Sequence, residues 1–71
     1  MMPLTMVKQG EANVIKRVGG RDDTRRFLEN LGFVNGSEVT IVSEYAGDLI
    51  IKVRDTRVAI SRNMANKIQV A

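Results

Sequence analysis

The 71-residue sequence contains neither cysteine nor histidine, and that double absence constrains the fold more than any residue present. A chain this short buries only about 60% of the surface its unfolded form exposes. Small scaffolds commonly offset the shortfall with disulfides or a structural zinc. Neither is open to this sequence, so packing of apolar side chains must hold it alone. A hydrophobic content of 44% suffices for one core, and a single domain over residues 1–71 is expected.

The opening segment, residues 1–8, has no basic stretch followed by an apolar run, so no secretory signal is expected. Leu49-Ile50-Ile51 is as long as any apolar run beyond it, far below the roughly 20 residues of a membrane span. A soluble protein without direct membrane insertion is expected, and the missing cysteines fit a reducing cytoplasm. The net charge of +3 comes from 11 basic and 8 acidic residues. That is an ordinary mixed surface rather than a nucleic-acid signature.

Apolar spacing reads as short strands with one helix. Glu11 to Val18 is the first strand. Ala12 and Val14 share a face while Ile15 and Val18 break the alternation, which a bulge between Val14 and Ile15 would reconcile. Gly19-Gly20 stops it. Asp22 or Asp23 caps the helix that follows, and Thr24, Phe27, Leu28 and Leu31 form its apolar face. Gly32 ends it, being free to take the left-handed conformation. Glu38 to Tyr45 alternates with Val39, Ile41, Ser43 and Tyr45 on one face. Ala46-Gly47-Asp48 signals a hairpin, and Leu49, Ile51 and Val53 point inward from the next strand. A tight turn at Asp55-Thr56 leads to Arg57–Ile60, with Val58 and Ile60 inward. Ser61 caps one helical turn through Met64 and Ala65, and Ile68 to Val70 is the last strand. About five strands with one early helix indicate a mainly β fold, a small closed barrel.

No catalytic machinery is visible, so an enzyme is not expected. The commonest general base and the strongest nucleophile are missing. Ser37, Ser43 and Ser61 lie in no G-x-S-x-G elbow, and Gly19-Gly20 lacks the Gly-Lys-Ser/Thr ending of a phosphate loop. Asp22 and Asp23 are adjacent without the spacing of a calcium loop. No metal site and no cofactor are expected. Binding is what remains. Arg25 and Arg26 lie in the first helical turn, where the macrodipole disfavours cations by a few tenths of a kcal/mol each. They either pair locally with Asp22, Asp23 and Glu29 or project toward an acidic partner. Of three aromatics, Phe27 and Phe33 are expected in the core. Tyr45, with Leu49 across the turn, makes an apolar spot at a barrel end that also suits weak self-association.

Several segments in order resemble the FeoA family, small cytoplasmic accessory proteins of bacterial ferrous iron transport. They are Leu4 before Gly10, then Ile15 and Val18 ahead of Gly19-Gly20. Arg25-Arg26-Phe27-Leu28-Glu29-Asn30-Leu31-Gly32-Phe33 resembles the family's basic-apolar helix ending in Leu-Gly. Gly36 precedes the Val39/Ile41 strand, Gly47 stands at the hairpin, and Val58-Ala59-Ile60 with Ala65-Asn66-Lys67-Ile68-Gln69-Val70 closes the pattern. Asp48-Leu49 stands where the family often has a proline. The resemblance implies an SH3-like barrel and a cytoplasmic accessory or regulatory role on FeoB, the membrane transporter with a cytoplasmic GTPase domain. A related likeness is to the SH3-like domain ending iron- or manganese-dependent repressors, although this chain carries no DNA-binding helices. The expected partner-binding residues are Arg25, Arg26 and Glu29 on the helix and Tyr45, Asp48 and Leu49 at the hairpin end. The alternative is a small basic barrel binding RNA or DNA through Lys16, Arg17, Arg21, Arg25 and Arg26. Three aromatics, two of them assigned to the core, argue against it.

Overall fold

Residues 1–71 are described by a computed structural model. In chain order the elements are β1 (Met2–Pro3), a 3-10 turn (Leu4–Met6), β2 (Ala12–Val18), α1 (Asp22–Leu31), β3 (Glu38–Tyr45), β4 (Asp48–Val53), β5 (Thr56–Ser61), α2 (Arg62–Ala65) and β6 (Ile68–Val70). All strand pairs are antiparallel, in the order β1-β6-β2-β3-β4-β5. β2 serves two partners, with residues 12–14 against β3 and residues 15–18 against β6. A sixth strand, β1, was not legible in Met2-Pro3, whose extended geometry depends on β6 arriving from the other end of the chain.

Two bulges set which side chains face inward. In β2 the register shifts between Ile15 and Arg17, making Lys16 the extra residue. Ile15 and Val18 therefore both pair with inward-facing residues of β6, Val70 and Ile68. The irregularity sits one step beyond the expected Val14/Ile15 position, and Ala12 and Val14 are exposed rather than core-facing. In β3 a second bulge at Val42 separates the pairs Ile41–Ile51 and Ser43–Ile50. Because one extra residue reverses the facing of all that follow, Val39 and Ile41 point into the core while Ser43 and Tyr45 point out. Simple alternation had put all four on one face.

The turns follow their residues. Ala46 and Gly47 both have positive φ, 52° and 87°, the type I′ arrangement that matches strand twist. The next corner lies on Arg54-Asp55, with Arg54 at φ 56°, one residue earlier than expected. Helix α1 starts from Arg21, which makes no side-chain cap. Asp22 and Asp23 occupy the first turn instead, their carboxylates facing the positive end of the macrodipole. Its end is as read from sequence. Gly32 takes φ 110°, and the Phe33 N–H reaches the Leu28 carbonyl at 3.0 Å. This Schellman closure brings Leu28 and Phe33 together, both fully buried. Ser61 Oγ accepts from the Met64 N–H at 3.2 Å, capping α2.

Thirteen apolar residues form the core, from Leu4 near one end of the chain to Val70 near the other, with no buried polar side chain. Each fully buried Val, Leu, Ile or Phe contributes about 1.5–3 kcal/mol, so packing supplies what disulfides or zinc do elsewhere. Hydrogen bonding does not close the barrel, contrary to expectation: β1 and β5 stand at opposite ends of the ladder. α2 and the 3-10 turn lie between, tied by Thr5 Oγ1 donating to Asn66 Oδ1 at 3.0 Å. No helix is long and apolar enough to cross a membrane.

Candidate functional site

The first candidate surface is the outward side of α1. Leu28 is its one fully buried residue, with Thr24 and Leu31 half-buried. The helix packs along the 24-28-31 row, and a residue turned about 100° per step leaves position 27 at the rim. Phe27 is accordingly 49% exposed rather than in the core. Arg25 donates to Asp22 Oδ1 at 3.0 Å in an i,i+3 ion pair, so much of its charge is answered locally. Arg26 and Glu29 are exposed and join no ion pair. The helix therefore offers Arg26, Phe27 and Glu29, a cation, an aromatic and a carboxylate.

The second surface is the β3–β4 hairpin end. Tyr45 is 75% exposed and opposite Asp48 on the outer face. Leu49 does not join them. It pairs with Glu44, faces inward and is 3% exposed, because the two-residue turn pairs Tyr45 with Asp48 and the next position along β4 faces the other side of the sheet. Glu44 meets Arg62 of α2 in the second ion pair of the chain, fastening the hairpin to the α2 end.

The structure does not bring the two expected surfaces together. Gly32, at the end of α1, lies against Val53, at the far end of β4 from Asp48. Five residue steps of a strand separate them by about 17 Å. No enclosed pocket lies between. The largest concavity, about 370 Å³, is a shallow hollow on the sheet's outer face lined by Ser37, Glu38, Thr40, Lys52, Arg54 and Asp55. It has no apolar wall of the kind small-molecule sites use. No three Asp or Glu residues converge as metal ligands. Sequence reasoning missed the exposure of Phe27. The 24-28-31 row was the available signal, since with a small core above it one apolar residue of four must sit at the rim.

A short antiparallel sheet curled over one core, with a single early helix and a hairpin tip at its surface, defines a small SH3-like barrel domain. The FeoA domain family matches residues 2–71, and the chain belongs to that family. Its sequence is 30% identical over 70 residues to a Methanocaldococcus jannaschii protein named Fe(2+) transport protein A, covering 99% of this chain and 85% of that one. The fold is similar to that of Stenotrophomonas maltophilia FeoA, crystallised with zinc and described as a prokaryotic SH3 domain protein. The TM-score is 0.87, with 28% identity over 100% of this chain and 91% of the other. A manganese-dependent transcriptional repressor shares the fold alone, with a TM-score of 0.84 and 18% identity over 96% of this chain and 39% of the repressor. The chain is thus an FeoA-family accessory protein of ferrous iron transport.

Proposed function

We propose that this chain is a protein-binding accessory or regulatory module of ferrous iron uptake, acting in the cytoplasm on the cytoplasmic part of the FeoB transporter. The observation that carries this reading is the FeoA match over residues 2–71. It joins a fold whose exposed aromatics, Phe27 and Tyr45, are outward-facing with charged neighbours rather than packed away. Exposed aromatic anchors beside polar groups are what protein interfaces use. The docking residues are Arg25, Arg26 and Glu29 with Phe27 on α1, and Tyr45 with Asp48 at the hairpin. Iron is the cargo of the system, and the domain acts through its partner without catalysis.

A nucleic-acid role is disfavoured by the same geometry. Stacking tracks set aromatics along one basic groove, whereas Phe27 and Tyr45 belong to surfaces at opposite ends of β4. Calorimetry of the isolated chain against detergent-solubilised transporter tests the reading. Saturable binding that persists at moderate salt is expected. No heat with the transporter, together with steeply salt-dependent binding to a generic oligonucleotide, would reverse it.

A further inference from the structure

The sheet ends on two edges of unequal character. β1 contributes two residues, the second of them Pro3, which has no N–H to offer, and the chain then tightens into the 3-10 turn. β5 runs six residues without proline and pairs only with β4. The two-residue turn at Arg54-Asp55 decides which backbone groups are used. Val53 and Thr56 close it as a hydrogen-bonded pair, and antiparallel alternation then assigns Val58 and Ile60 to β4. The N–H and C=O of Arg57 and Ala59 point away from the sheet, and no backbone bond elsewhere in the fold takes them up.

The outer face beside this edge is graded. Thr40, Lys52 and Arg57 form one cross-strand row, Ser43, Ile50 and Ala59 the next, and Tyr45, Asp48 and Ser61 the last. Lys52 and Arg57 oppose each other at a non-hydrogen-bonded position, where side chains lie closest and like charges repel. Neither joins an ion pair. Glu38 and Asp55 line the hollow that holds Lys52 and Arg54 without coming within pairing distance of either. A repulsive pair thus sits beside a bare edge.

We propose that β5 takes an acidic, extended segment of a partner protein as a seventh strand. Arg57 and Ala59 supply the backbone hydrogen bonds, and the Lys52/Arg57 pair selects a carboxylate opposite Arg57. A small apolar side chain sits opposite Ala59 and Ile50, and the strand runs toward Tyr45 at the hairpin. Strand addition of this kind draws affinity from main-chain bonds and specificity from alternate side chains. The same cations repel a second copy of β5, so charge favours an acidic partner over self-pairing. The inference rests on the protein-binding reading above and names its mode.

The test is amide hydrogen exchange of the labelled chain with a synthetic extended peptide that sets glutamate and alanine two positions apart, to fall opposite Arg57 and Ala59, against the same peptide with lysine for glutamate. The acidic peptide slows exchange at Arg57 and Ala59 by about tenfold or more, and the lysine peptide does not. Ala59→Pro removes an N–H on the free side while sparing the β4 ladder, and abolishes the protection. Arg57→Glu leaves the backbone intact and weakens binding by about tenfold or more, which keeps the test alive if the proline variant does not fold. Absence of protection at millimolar peptide, equal binding of both peptides, or unchanged binding by Arg57→Glu overturns the proposal. Self-association by sedimentation that Ala59→Pro abolishes would assign the edge to a second copy instead. If the transporter's cytoplasmic domain binds the parent chain and both variants equally, strand addition falls while the accessory function stands.

Discussion

Strands β3, β4 and β5 follow one another across two-residue turns, whereas β1, β6 and the second half of β2 bring residues 2–3, 68–70 and 15–18 together from both ends of the chain. The first group is a meander whose register is set locally by turn geometry and by the Leu49-Ile51-Val53 face. The second has strands of two and three residues that pair with segments 50 to 68 positions away in the chain. Loop closure costs more as the loop lengthens, though slowly. The short strands hold because Ile15, Ile68 and Val70 are fully buried, not because their sequences favour a sheet. Both halves are held by burial, but register is set by local turn geometry in one and by burial of distant partners in the other.

Core truncations sharpen that contrast most strongly. Ile51 lies at the centre of the meander, is fully buried and faces Ile41 and Val58. Ile51→Ala should cost about 2–5 kcal/mol, enough to unfold most of a domain this small, as urea denaturation would show. Val70→Ala removes two methyl groups from the chain-end sheet and should cost about 2 kcal/mol. Its effect on hydrogen exchange should concentrate at β1 and β6, leaving β4 protected until global unfolding. Equal loosening of both halves would break the comparison.

Smaller changes probe the connections. Ser61→Ala removes the cap of α2, where the β5 edge hands over to the chain-end half, and should lower stability by about 1 kcal/mol in a thermal melt. Arg62→Ala removes an ion pair with Glu44 whose side chains are half exposed, and should cost under about 1 kcal/mol. Ala46→Asn should raise stability by a few tenths of a kcal/mol, roughly, because Ala46 holds φ 52° where a type I′ turn favours Asn before Gly.

The same division explains what could be read in advance. The hairpin at Gly47, the Leu49/Ile51/Val53 face, the Gly32 stop and the Ser61 cap each rest on a few neighbouring residues, and all were legible. β1 was not, because Met2-Pro3 becomes a strand only when β6 lies beside it. The bulge at Lys16 is also set by a distant partner, β6, while the two-residue turn pairs Tyr45 with Asp48 and so leaves Leu49 on the opposite face, splitting the expected hairpin site. On α1 the residues were legible but their roles were only half so. The Arg25–Asp22 pair follows from i,i+3 spacing, whereas the exposure of Phe27 depends on how little core the barrel presents to the helix.

The measurement that tests the central claim most directly is a titration of the isotope-labelled chain with the cytoplasmic GTPase domain of the ferrous iron transporter, followed through amide chemical shifts. The account predicts saturable shifts clustered on Arg26, Phe27 and Glu29 of α1, or on Tyr45, Asp48 and the neighbouring β5 edge, with the buried strands unmoved. No shifts at high micromolar partner, or small shifts scattered evenly over the barrel, would contradict it.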